Sequence, residues 1–134
     1  MSAENIDLVR RVYAEWEQGR MTAGVELFDP EIAFESFMPD SSETVVANGI
    51  EEVDAFMREF LAQWRDYRLA GEEFREAGPD KVFVAGYQTA AGRYSGATVR
   101  DPMHSIWEFR GGMVVGLRFE IDRQTALELA GLRE

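Results

Sequence analysis

His104 is the only histidine of the chain, and it lies in MHSIWEFRGGMVVGLRFEID, residues 103–122, where apolar and polar residues alternate. An imidazole exchanges protons near neutral pH and also hydrogen-bonds carbonyl compounds, so His104 is the first side chain to consider for acid–base work. If Gly111 and Gly112 form a two-residue hairpin turn, Arg110 faces Met113, Glu108 faces Val115, Ile106 faces Leu117 and His104 faces Phe119 on one side. That side carries Met113, Val115, Leu117, Phe119 and Ile121, the more continuous apolar set, and is expected to line the interior. Trp107, Phe109, Val114, Arg118 and Glu120 are then expected to point outward, as the surface of a homodimer. A second turn near Ser95 and Gly96 brings Tyr87 close to His104. Desolvation beside a phenol favours a neutral imidazole, which can act as a general base or bond a ligand carbonyl. His104 and Tyr87 are therefore the expected catalytic residues, the plainer alternatives being a satisfied interior histidine and a structural or ligand-orienting phenol.

Composition removes several other chemistries. The chain has no cysteine, which excludes disulfides, thiolate nucleophiles and sulfur-ligated metals, and one histidine excludes any site needing two within a chain. Lys81, the only lysine, lies in the turn-like GPDK, a poor setting for a buried Schiff base. Twenty-five acidic against fourteen basic residues give a net charge of −11, which repels a phosphate backbone and argues against nucleic acid as a partner. No phosphate-binding loop, dinucleotide fingerprint, calcium loop or zinc-protease signature is present, and GRYSG at 92–96 lacks the spacing of a nucleophile elbow. No cofactor and no metal are expected. No apolar run approaches the roughly 18 residues that span a bilayer, and MSAENIDLVRR has no export pattern, so no membrane partner and a cytoplasmic location are expected.

The elements that must position these residues can be read in order. At 134 residues one core and a single domain, 1–134, are expected. Ile6, Val9, Val12, Tyr13 and Trp16 share one face of a first helix that Gly19 ends. TAGVELF predicts a short second helix capped by Thr22 and stopped by Pro30, EIAFESF a strand, and residues 38–48 a loop bordering the site. Asn48 and Glu51 have the spacing of a capping box for a long helix bearing Ile50, Val53, Phe56, Met57, Phe60 and Trp64 on one side. From Tyr67 the period becomes two, predicting four strands in YRLAGEEFREA, KVFVAGYQTAA, TVRDPMHSIWEF and MVVGLRFEI, before a last helix, RQTALELA, capped by Asp122. Helices followed by an antiparallel meander predict an α+β fold with helices on one face of a curved sheet and a cavity where their aromatic ends meet it.

ENIDLVRRVYAEWEQGR, LFDPEIAF, GIEEVDAFMREFLAQW and WEFRGGMVVGLRFEIDRQTALELAGL, in this order, resemble the SnoaL-like polyketide cyclase branch of the nuclear transport factor 2-like superfamily over nearly the whole chain. The resemblance implies a cone, an α+β barrel in which a bent antiparallel sheet cups three helices around an apolar cavity, commonly dimeric through the outer sheet face. Activities in the superfamily include polyketide cyclases, ketosteroid isomerases, dehydratases and epoxide hydrolases, beside members without known activity. His104 matches the histidine of the cyclases, whereas Phe119 falls where their acid/base aspartate lies; Ser36 and Val12 fall at the base and tyrosine of the isomerases, with Tyr13 one place away. The implied function is cofactor-free proton transfer on an apolar, polycyclic or aromatic carbonyl compound, or its binding without turnover. Tyr13, Trp16, Phe34, Trp64, Tyr67, Ile106, Leu117 and Phe119 are the expected lining.

Overall fold

The structure, a computed structural model, describes residues 2–38, 42–93 and 96–134. Helix α1, Ser2–Glu17, buries Val9, Val12, Tyr13 and Trp16, the apolar stripe of its sequence. The predicted second helix contracts to one 3₁₀ turn, Val25–Leu27, entered through Gly24 in the left-handed conformation and without a Thr22 cap. Strand β1, Phe28–Met38, begins earlier than expected, with Pro30 in the irregular stretch between Phe28 and Ala33 where the register shifts. The region expected to be a loop holds strand β2, Glu43–Asn48, while residues 39–41 lie outside the described part.

Helix α2, Ile50–Leu61, turns its apolar side to the core; the Asn48 backbone N–H donates to Glu52, one residue beyond the predicted capping partner. Strands β3, Trp64–Glu76, and β4, Lys81–Gly92, follow. The predicted strand 98–109 divides at Met103 into β5, Thr98–Pro102, and β6, His104–Arg110. Strand β7, Met113–Glu120, and helix α3, Arg123–Ala130, complete the order, and Asp122 caps α3 as expected through the Thr125 backbone N–H.

The seven strands form one sheet in the order β2-β1-β7-β6-β4-β3, with β5 on the β4 edge beyond β6. It is mixed rather than an antiparallel meander, because β1 runs parallel to β7. The outcome is the expected α+β cone, an unclosed curved sheet of seven strands with three helices. Helix α1 packs on the concave face, where Val82, Val84 and Trp107 join its core, whereas α3 covers Phe83, Ala85 and Ile106 on the opposite face. The helices therefore do not share one side of the sheet.

One extra residue decides which side chains enter the cone. Gly111 and Gly112 have φ of 58° and 79°, the left-handed pair that a tight hairpin turn demands, and Arg110 does face Met113. Phe109 then pairs with Val114 but Glu108 with Gly116, so Val115 is a bulge and every later pair shifts by one. Ile106 faces Arg118 and His104 faces Glu120, which corrects the expected partners Leu117 and Phe119. Because strand side chains alternate, the shift inverts the expected assignment for β6. Trp107 and Phe109, with Val114, lie in the inner core rather than on an outer surface; Arg118 does face outward, ion-paired with Glu35 and Glu120.

Candidate active site

The inner residues of α1, α2, β1, β3, β4 and β7 enclose a cavity of about 590 Å³. Trp16, Phe34, Phe56, Phe60, Leu117 and Phe119 supply much of its wall. Their rings interlock: Phe34 lies 5.5 Å from Phe56 and 5.9 Å from Phe119 between centroids, and Phe60 meets Tyr67 edge-on at 5.0 Å.

Polar atoms enter this wall at few places. Tyr67, on β3, donates its hydroxyl to Gln88 Oε1 on β4 at 2.6 Å, and both side chains are buried. Burial holds the Tyr67 phenol well above its ordinary range, with Tyr13 adding to the effect, so it remains a proton donor. With Oε1 so engaged, the Gln88 amide orientation is fixed, and its Nε2 has no hydrogen-bond partner among the described residues. Across the β4–β5 ladder Gln88 pairs with Asp101, which puts amide and carboxylate side by side on the inner face at the cavity mouth. Asp101 is exposed and has no ion-pair partner among the described residues. Asp54, also on the rim, is neutralised by Arg58 one turn along α2. Ser36 is buried on β1 and lines the cavity. Trp64, in the wall, has a buried indole N–H without a partner among the described residues.

Six of the expected lining residues, Trp16, Phe34, Trp64, Tyr67, Leu117 and Phe119, do border the cavity, and Tyr13, Ile106, His104 and Tyr87 do not. Tyr13 is bound into the core beneath it, its hydroxyl 2.7 Å from Ser105 Oγ, which also accepts from Trp107 Nε1 at 2.8 Å. Ile106 packs against α3 on the other face. His104 shares that convex side: its ring stacks on Phe83 at 6.4 Å, and its Nδ1 accepts from the Gly86 backbone N–H at 3.3 Å. Desolvation, then Arg123, pushes the imidazole below its ordinary range against the opposing pull of Asp122 and Glu73. Tyr87, two residues along β4 from Ala85 and on its side, is covered by the Arg100 guanidinium 3.6 Å from the ring centroid. The structure does not bring His104 and Tyr87 together in the cavity; the Ser95 turn that would have paired them lies partly outside the described residues.

Gln88 and Asp101 escaped the sequence reading. In KVFVAGYQTAA, Gln88 has the same parity as Val82 and Val84, and a polar residue at core parity was the available signal. Asp101 precedes Pro102 in a segment read as one long strand, so its edge position was hidden. Among the described residues no three potential metal ligands cluster, and no helix is long and apolar enough to cross a membrane.

The SnoaL-like domain family matches residues 9–117, most of the chain. This protein belongs to the SnoaL-like family. No curated protein matches the sequence of this SnoaL-like domain. Among solved structures it is similar to TerC, co-crystallised with polyporic acid, with a TM-score of 0.73 and 20% identity over 95% of this chain and 98% of that one. AclR of Streptomyces galilaeus, a candidate hydroxylase, gives a TM-score of 0.72 and 19% identity over 98% of both chains. A candidate SnoaL-like polyketide cyclase from Jannaschia sp. CCS1 gives 0.73 and 20% over 99% of this chain and 95% of its own. At these identities the likeness establishes the fold.

Proposed function

We propose that this SnoaL-like domain binds a neutral, largely aromatic carbonyl compound and moves a proton at the carbon beside the carbonyl. The observation that carries the reading is the pairing of Gln88 with Asp101 at an aromatic cavity, with Tyr67 fixing the Gln88 amide. The aromatic wall takes the ring system, and the free Gln88 N–H donates to the carbonyl oxygen. Asp101 removes the adjacent proton as a general base, and the negative charge forming on the oxygen is met by the amide, a donor already in place. The proton returns from Asp101 to the far carbon of a conjugated enolate, giving an isomer, or the enolate attacks a second carbonyl of the same molecule, closing a ring, and the alkoxide so formed takes the proton back from Asp101. Both outcomes balance without a cofactor. The TerC complex with polyporic acid and the candidate polyketide cyclase from Jannaschia sp. CCS1 support a small organic ligand and carbonyl chemistry in such a cone.

A binding protein without turnover is the second reading, favoured by the exposure of Asp101, which leaves its carboxylate solvated. Deuterium exchange at the acidic carbon of 2-tetralone in heavy water, followed by proton NMR, separates the two. Asp101→Asn is expected to lower catalysed exchange by about 10² to 10⁴-fold with little change in Kd. Equal exchange by wild type and Asp101→Asn removes Asp101 from the reaction. Saturable quenching of tryptophan fluorescence by 2-tetralone without any catalysed exchange favours the binding protein.

A further inference from the structure

We propose that His104 is a positioning residue that acts from the convex side of the sheet, fastening β4 at Gly86 and thereby setting the Gln88 amide in the cavity; this rests on the cavity reading above. Strand β4 changes partners along its length: Lys81–Val84 pair with β6, and Tyr87–Ala91 with β5. Gly86 falls in the gap. Its carbonyl accepts from the Met103 N–H at 2.9 Å, and its own N–H donates to His104 Nδ1 at 3.3 Å. On the other edge the β3–β4 register shifts between Gly71 and Glu73, opposite Gly86. A Cβ on Gly86 would overlap the Ala70 carbonyl oxygen, so the two strands approach here as only glycine allows. The bend thus has a steric cause on β3 and one side-chain hydrogen bond on the β5–β6 side.

Gln88 is two residues beyond this bend, on the inner face, and Met103, next to His104, lines the cavity. A shift of the bend moves the amide relative to Asp101 and Tyr67. The His104 bond exists only while Nδ1 is unprotonated, because imidazolium has no acceptor. Around the ring stand Glu120 opposite it on β7, Asp122 and Arg123 at the start of α3, and Glu73 on β3; Arg123 is itself paired with Glu73 and Glu134. Acid should therefore release Gly86 and weaken ligand binding at a distance.

The lone histidine makes this directly readable. Expected for the wild type is a loss of Gly86 amide protection against hydrogen exchange, by about fivefold, as the His104 NMR signals titrate, with a parallel rise in the Kd for 2-tetralone measured by tryptophan fluorescence. His104→Asn, which retains an acceptor on a short side chain and does not titrate, should hold protection and Kd flat from pH 5 to 8. His104→Leu should weaken binding about fivefold at neutral pH, the worth of one hydrogen bond. Unchanged Gly86 protection across the His104 titration overturns the fastening. Loss of protection with an unmoved Kd overturns the positioning role alone. Absence of 2-tetralone binding at every pH overturns the cavity reading, and the positioning role with it, while the Gly86 measurement still reports on the fastening.

Discussion

His104 faces Glu120 across the last hairpin, and both side chains lie on the convex side of the sheet. The bulge at Val115 produces this pairing, and the same bulge turns Trp107 inward against Trp16 at 5.6 Å and Tyr13 at 6.2 Å. Trp107 is wholly buried, with its indole N–H satisfied by Ser105.

Trp107→Ala should consequently act on folding. Emptying a fully packed tryptophan site costs about 3–5 kcal/mol, a large part of the stability of a domain this size. Urea unfolding followed by circular dichroism should show the loss, with light scattering giving the same mass for the folded variant as for wild type. A fully stable variant that changes only its association state would place Trp107 on an interface and contradict the core described above.

The Tyr13, Ser105 and Trp107 hydrogen bonds form a small polar knot inside the apolar core. Burial raises the Tyr13 phenol far above its ordinary range, so it stays protonated, and Ser105 Oγ is its partner. Ser105→Ala leaves two buried donors unanswered, at about 1–3 kcal/mol each. Adding Tyr13→Phe removes one of them, so the double variant should regain part of the stability lost by Ser105→Ala. A strictly additive double-mutant cycle by urea denaturation would show that the pair does not interact.

Stability should depend on pH in two windows. His104 has a lowered folded value, so the unfolded chain takes up its proton first; the stability this represents is complete above about 6.5 and is lost as pH falls through the folded value. Asp122 is lowered by the Thr125 hydroxyl and backbone N–H, so its contribution is present above about 3.8, the ordinary value, and goes at lower pH. Urea midpoints for wild type and His104→Asn should diverge between pH 7.5 and 5, with the wild type falling further. Parallel curves in that range would show that His104 is equally easy to protonate folded and unfolded.

The helices, most strand positions and the aromatic half of the cavity wall were legible in the sequence, because α1 and α2 carry apolar stripes of helical period and Leu117 and Phe119 alternate on β7. The face of His104 was not legible. Parity is counted from a turn, and the turn at Gly111 and Gly112 was correct, but one extra residue reverses parity for the strand beyond it, and Val115 carries no mark in its side chain. Gln88, by contrast, stands on an unbulged stretch of β4, so parity with Val82 and Val84 places it on the cavity face. The parallel contact of β1 with β7 depends on where distant strands meet, which local periodicity does not encode.

The Tyr67–Gln88 hydrogen bond supplies the sharpest test of the cavity, since it lies between the fold and its proposed chemistry. Tyr67→Phe keeps the ring and its edge-on contact with Phe60 but removes the hydroxyl from Gln88 Oε1. The loss of one neutral hydrogen bond should lower stability by only about 1 kcal/mol. The effect on a ligand should be different in kind: with Oε1 released, the amide is free to turn, and the orientation that aims Nε2 at a carbonyl is no longer enforced. Gln88→Leu removes the donor altogether while leaving a side chain of similar volume. Both variants should therefore weaken 2-tetralone binding, Gln88→Leu more than Tyr67→Phe, and any catalysed deuterium exchange should fall further than binding, because the donor matters most when charge develops on the oxygen. Binding by Gln88→Leu at wild-type strength would show that the amide does not meet the carbonyl, and the ligand would then have to be held by the aromatic wall alone.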